Sequence, residues 1–367
     1  MNGRDAQPEP VPDFTAVLPA GGMGSRLWPL SQPSAPKFLL DVRGDGTSLI
    51  HDTCARMSGL AAEVMVVTGR AHVKAVRQQL PDIDENAIVA EPSPRDSMAA
   101  IGLAAAVLEK RHGPRVMGSF AADHVVTDVA AFQATIRTAI EGARAGKIVL
   151  VGIVPTSPSS GFGYIQVDRA VVAGNDVADL LLNVTAFTEK PDAGTAQKYM
   201  DAGTYLWNAG MFVMRTDVLL GHLERLHPRM HDALRRIAEA WDTDARDAVV
   251  EQEWDGLTRI AIDFAIAEPV AAEGGIAVVP ASWDWHDVGD FASLAQLMTP
   301  DAFEVRTSHR SEPVVPVDSK NLTVVGGTKP VAVVGLDDVV VVDTDEALLV
   351  VSQHAAQQVR VAYERLM

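Results

Sequence analysis

Several side chains in this 367-residue sequence have the chemistry and spacing to handle phosphate. An apolar strand-like run, Phe14–Leu18, leads into Ala20 and the cluster Gly21-Gly22-Met23-Gly24, followed by Ser25 and Arg26. Glycines directly after the first strand of an α/β sheet let backbone N–H groups approach a phosphate. Taken alone, such a cluster is more often a tight turn with no ligand. Lys37 follows in a proline-stiffened stretch, and together with Arg26 it could meet a triphosphate. No lysine precedes Lys37, which excludes a Walker loop. Leu27 stands where a dinucleotide fingerprint needs its third glycine, and Pro29, Pro33 and Pro36 would break the helix that fingerprint requires. Asp123 lies just past a later strand, at the edge where α/β ligands bind, and Asp287 offers a second carboxylate between Trp285 and Gly289. Carboxylates with phosphate oxygens and water suit Mg²⁺. Either aspartate alone reads as a turn cap.

Charge narrows the partners. Lys and Arg number 31 against 48 Asp and Glu, so the formal charge of −17 gives no bulk attraction for nucleic acid or an anionic membrane. A phosphorylated ligand must be met by a few local cations, backbone N–H groups or a metal. The longest apolar stretch, Met98–Leu108, is too short to span a membrane, and the polar, proline-rich start lacks a signal-peptide core. The single cysteine, Cys54, excludes an internal disulfide framework and reads as packing. A soluble, cytoplasmic protein is expected.

The elements that must position these groups alternate. Strand-like runs at Phe14–Leu18, Glu63–Thr68, Ala87–Ala90, Arg115–Phe120 and Lys147–Ile153 are separated by helix-like stretches at Ser48–Leu60, Ala71–Leu80, Ser97–Lys110 and Ala130–Ala145. This order predicts an α/β fold with a doubly wound, mainly parallel sheet. Strand-like pieces follow at Tyr164–Val167, Val184–Thr188 and Thr204–Met214, then a helical stretch Val218–Ala240 broken at Pro228. Pro300–Ser319 reads as polar loop. Short β-rich pieces beyond it, from Asn321 to Val351, suggest a small C-terminal unit, with solenoid-like rungs as one possibility, ending in a helix-like segment Gln353–Leu366. The expected layout is a disordered tail over 1–12, a main domain over 13–305 and a β-rich domain over 306–367.

The stretch Leu18–Leu40 resembles the signature of sugar-phosphate nucleotidyltransferases, and its Arg-Leu-Trp-Pro-Leu extension is most similar to the bacterial mannose-1-phosphate guanylyltransferases (GDP-mannose pyrophosphorylases). Further motifs follow in order: Glu91-Pro92-Ser93-Pro94-Arg95-Asp96-Ser97, Ala122-Asp123-His124, Gly161-Phe162-Gly163-Tyr164-Ile165, Phe187-Thr188-Glu189-Lys190-Pro191, Tyr205 to Phe212, and Trp285-His286-Asp287-Val288-Gly289. Asp96 replaces a usual Asn, while Ala99 and Ala121 replace usual prolines. The resemblance covers roughly Phe14 to Leu297 and continues into the tail, where it implies a β-helix-like unit.

What it implies is GMP transfer from GTP to mannose 1-phosphate, releasing pyrophosphate. Arg26, Lys37 and Asp123 would be catalytic. The nucleotide would be held by Ala20, Gly21, Gly22, Gly24, Ser25, Arg26, Glu91, Ser93, Arg95, Asp96 and Ser97. The sugar phosphate would meet Gly163, Tyr164, Glu189, Lys190 and Asn208, and Asp123 with Asp287 would hold Mg²⁺. His124 is expected to be structural, since Mg²⁺ favours oxygen. Another base, another hexose 1-phosphate, or a non-catalytic sugar-nucleotide-sensing homologue are the alternatives. A homodimer is expected. Only His309 and His354 follow residue 300, so the isomerase activity of bifunctional relatives is not expected.

Overall fold

The computed structural model describes residues 9–171, 180–309 and 312–366. Nine strands form the main sheet: β1 (Val11–Ala20), β2 (Ala61–Gly69), β3 (Ile88–Glu91), β4 (Val116–Ser119), β5 (Ile148–Ile153), β6 (Tyr164–Val167), β7 (Leu182–Thr188), β8 (Tyr205–Arg215) and β9 (Ile276–Ala281). Their spatial order is β3-β2-β1-β4-β8-β5-β9-β7-β6. The β3-β2-β1-β4 half is parallel, and β5 pairs parallel with β9, while β8 runs antiparallel between β4 and β5. The expected mixed α/β sheet is present. Val11 and Pro12, assigned to the tail, belong instead to β1, where Val11 aligns with Ala61. Residues 1–8 of that tail lie outside the described residues.

Alternation along the strands sorts side chains onto two cores. In β1, Val17 enters one core while Ala16 and Leu18 enter the other. The helix Asp96–His112 is buried from Met98 to Leu108 because it lies against the sheet on one side and the helices Thr216–Leu226 and Pro228–Ala240 on the other. Both apolar layers hold the C-terminal ends of β1, β3 and β4 in fixed relation, and the loops leaving those ends carry the candidate site.

The C-terminal unit contains β10 (Val305–Ser308), β11 (Val314–Val317), β12 (Leu322–Gly326), β13 (Val331–Val334), β14 (Val339–Asp343) and β15 (Leu348–Ser352). The stretch read as polar loop therefore holds two strands, β10 and β11. Strands β10, β12 and β14 stack in parallel register, and β11 stacks on β13, each partner lying 17 residues further along. This is a short parallel β-helix whose interior is filled by Val305, Leu322, Val324, Val333, Val339 and Val341. β15 returns antiparallel to β14. A separate apolar core joins this unit to the main domain: Val325, Val340, Val342, Leu349, Ala356 and Val359 pack with Leu27, Leu49, Val125, Val288 and Phe291.

Candidate active site

The glycine loop leaves β1 at Ala20, whose carbonyl accepts from Thr68 Oγ1 on β2 (2.8 Å). Gly24 has φ 74°, and a Cβ there would stand 2.7 Å from Lys37 Cβ, so this position excludes a side chain both by conformation and by space. Gly24 precedes a single 3₁₀ turn, Ser25–Leu27, and Lys37 opens another, Lys37–Leu39. The Lys37 backbone N–H donates to Met23 O (3.2 Å), which ties the two stretches together.

Lys37 is 5% exposed, and its ammonium group lies between two carboxylates brought from distant parts of the chain. Nζ stands 2.9 Å from Asp123 Oδ2 and 3.5 Å from Asp287 Oδ1, and also donates to the Asp287 main-chain carbonyl. The antiparallel pairing of Val125–Val126 with Trp285–His286 is what brings Asp123 and Asp287 together. Burial opposes ionisation of Asp287, but the hydrogen bond from His124 and the charges of Lys37 and Arg26 outweigh it and hold the carboxyl well below its usual range.

Asp123, His124 and Asp287 place one ligand atom each within 4.8 Å of one another. Trp285 Nε1 donates to His124 Nδ1 (3.3 Å), which puts the imidazole proton on Nε2, facing Asp287 Oδ1 at 3.5 Å. His124 therefore steadies Asp287 and offers no free lone pair. The two carboxylates, both paired with Lys37 here, are hard oxygen donors of the kind that Mg²⁺ takes together with phosphate and water oxygens.

Beside this cluster a cavity of about 430 Å³ is lined by Gly21, Gly22, Glu91, Arg95, Asp96, Ser97 and Asp123, with Arg259. Glu91 is 7% exposed, its Oε1 has no hydrogen-bond partner, and burial pushes its carboxyl up to about 7. Arg95 donates to Asp255 Oδ1 (2.7 Å). Asp96 has φ 67°, a left-handed conformation that Asn and Asp tolerate better than most residues. Ser93 does not line the cavity; its carbonyl accepts from Trp254 Nε1 (2.8 Å). Ala20, Gly24, Ser25 and Arg26 also stand outside the lining. Arg26 lies instead by Gly289 and Asp287.

On the sugar side, a Cβ at Gly163 would fall 2.4 Å from Glu189 Oε2 and 3.4 Å from Asn208 Cβ, so glycine lets these side chains close in. Lys190 pairs with Glu189 (2.5 Å), and its φ of 45° turns the chain so that both neighbours reach one side. Tyr164 differs from expectation: it is fully buried, and its hydroxyl donates to Ser159 O (2.9 Å), because alternation along β6 directs it into the core.

A family model for nucleotidyl transferases matches residues 15–302, and one for the mannose-phosphate isomerase and GMP-like β-helix domain matches 312–366. The chain belongs to the nucleotidyl transferase family. A mannose-1-phosphate guanylyltransferase of Escherichia coli K12 is 36% identical over 95% of this chain and 73% of its own length. The xanthan biosynthesis protein XanB of Xanthomonas campestris is 36% identical over 95% of this chain and 72% of its own. The crystal structure of a Thermus thermophilus protein named as a mannose-1-phosphate geranyltransferase superposes with TM-score 0.83 and 28% identity, covering 96% of this chain and 99% of that one.

Three residues of this nucleotidyl transferase carry site geometry that motif reading passed over. Asp263 accepts from Asn208 Nδ2 (2.8 Å), and burial, with Glu189 close by, pushes its carboxyl up to about 6. It sits on one π-helical turn, Asp263–Ala267. Arg56 is buried and donates to Thr53 Oγ1 (2.6 Å) and to the His124 carbonyl, fixing the segment that carries Asp123. Arg259 lines the cavity from a stretch held by the Ser97 hydroxyl, which accepts from the Ile262 N–H (2.9 Å). An aspartate in an apolar stretch was a signal available in the sequence for Asp263; Arg56 and Arg259 carried none.

Proposed function

We propose that this chain transfers GMP from GTP to α-D-mannose 1-phosphate, giving GDP-mannose and pyrophosphate. The observation that carries the reading is one buried lysine held between two carboxylates, one of which, Asp123, also lines a cavity with Gly21 and Gly22. The relatives named for this reaction point the same way. An oxygen of the sugar phosphate attacks the α-phosphorus, a new P–O bond forms, and the bond to the β-phosphate breaks as pyrophosphate leaves. Asp123 and Asp287 would hold Mg²⁺, which neutralises charge on the phosphates when bound. Lys37 meets the α-phosphate, Arg26 the outer phosphates, and the backbone of residues 20–25 the triphosphate. Glu91 to Ser97 bind the base. Guanine presents N1–H and N2–H₂ side by side, two donors that suit the unpartnered Glu91 carboxylate. Glu189, Lys190, Asn208 and Gly163 bind the sugar phosphate.

In this reading the main domain, from Val11, supplies the chemistry and the β-helix unit, which begins at Val305, braces it, in a cytoplasmic homodimer. Among the described residues no helix is long and apolar enough to cross a membrane. Pyrophosphate release across a matrix of nucleoside triphosphates and sugar 1-phosphates, with and without Mg²⁺, tests the assignment. GTP with mannose 1-phosphate is expected to be the preferred pair, and Lys37→Ala and Asp123→Ala are expected to abolish release in folded protein. Full turnover by both variants would remove the mechanism.

A further inference from the structure

Arg26 and the β-helix unit meet through one side chain. The Arg26 Nη1 donates to Oε1 of Gln357 (2.9 Å), and the Gln357 amide Nε2 donates in turn to Asp290 Oδ2. Asp290 is itself fixed, because its carboxylate accepts from Ser293 N (2.9 Å) as the cap of the helix Phe291–Gln296. The guanidinium also lies along Gly289, where a Cβ would stand 3.6 and 3.7 Å from its two Nη atoms and 3.4 Å from Asp287 Oδ2. Arg26 is thus suspended between Gln357, in the 3₁₀ segment Gln353–Gln358, and the stretch that carries Asp287.

We propose that Gln357 is a positioning residue for Arg26, which makes the C-terminal unit a working part of the phosphate site. The inference rests on the role given to Arg26 above. An unrestrained arginine side chain has many rotamers, and a phosphate must collect it from all of them. A clamped amide oxygen selects one before the nucleotide arrives. The acceptor is neutral, so it orients the guanidinium without cancelling its charge. By contrast Arg95, Arg111, Arg144, Arg215, Arg225 and Arg236 are held by carboxylates, while Arg26 forms no salt bridge within 4.0 Å among the described residues. In a chain of net charge −17, an arginine free of a bonded acid is available to a phosphate, and the nearby Asp287 carboxylate acts on Arg26 only at longer range. The surrounding contact is firm: Leu27 and Val288 share a core with Ala356 and Val359, and Trp28 faces Tyr363 with ring centroids 6.4 Å apart.

The test is a double-mutant cycle on the full chain, with Gln357→Leu, Arg26→Ala and the pair, read by pyrophosphate release. Gln357 is exposed, so its substitution is expected to lower the thermal midpoint by no more than a few degrees. Loss of one hydrogen bond to a charged group is expected to raise KM for GTP about tenfold or more, with KM for mannose 1-phosphate within about twofold of wild type. In the Arg26→Ala background, Gln357→Leu is expected to add nothing, since its route to the phosphates is gone. A silent Gln357→Leu beside a defective Arg26→Ala overturns this inference alone. So do two defects that multiply in the double variant. An Arg26→Ala enzyme with normal GTP kinetics removes the role of Arg26 itself, and the inference with it.

Discussion

Glu91 shows how much of this site depends on burial. Its carboxyl is raised to about 7 from an ordinary value of 4.5, by desolvation. A raised carboxyl stabilises the fold while protonated; that contribution is complete below about pH 4.5 and is lost as pH rises through 7. Glu91→Gln is therefore expected to raise the melting temperature of ligand-free protein at pH 8 and to change it little at pH 4.5, measured by calorimetry. Guanine's paired donors require the ionised form, so KM for GTP should fall between pH 6 and 8 in the wild type and stay level in the Gln variant. A level profile in both would separate Glu91 from the base. The motif around Glu91 was legible in the sequence, but its missing partner was not, because no spacing rule reports which acid is left dry. Lys37 was legible for a different reason: prolines on the strand-to-loop path and the excess of acids made a lone lysine stand out. Tyr164 was misplaced because motif membership does not say which face of a strand a residue occupies.

Among the elements, the glycine loop is constrained by one close approach. Gly24→Ala would place a methyl group 2.7 Å from Lys37 Cβ at a φ of 74°. The left-handed conformation alone costs an L-residue about 1–2 kcal/mol, and a displaced ammonium group should lower kcat by about 100-fold. Chemical denaturation and steady-state kinetics read the two effects separately; wild-type kcat in a stable variant would show that the Gly24–Lys37 approach is unimportant. The alternation of strands and helices up to Ile153 was readable from apolar periodicity, since buried parallel strands are nearly continuous runs. β10 and β11 were not. Each has only four residues, and the ladder that stabilises them lies 17 residues away. A subtler mark was present: Glu304, Asn321 and Asp338, at that same interval, all take positive φ at a corner of the coil, and Asn321 Nδ2 donates to Asp338 Oδ1 (2.5 Å). Acidic and amide residues tolerate that corner without glycine, so the repeat stays hidden.

At the level of the whole molecule, the two units are one packing problem. Leu27, Leu49, Val125, Val288 and Phe291 are covered by Val325, Val340, Val342 and Leu349 from the β-helix. A chain cut after residue 304 is expected to bind a hydrophobic dye and to lose turnover, because five large apolar side chains around the site would face water. Retained activity in such a fragment would show that the main domain stands alone. The outer face of β11 and β13 leaves Val315, Val317 and Val334 about half exposed or more, in keeping with the proposed dimer. Light scattering on the intact chain is expected to give twice 39.2 kDa; the monomer mass would refute it.

That shared core also sets a timetable. A ribosome releases Leu27 early and Val359 more than three hundred residues later, yet each helps to roof the other. Through most of synthesis the glycine loop must wait half-dressed, and contacts so far apart in the chain form slowly. A chain stalled before Val359 leaves the ribosome would therefore hold Arg26 and Lys37 without the cover that the finished core provides.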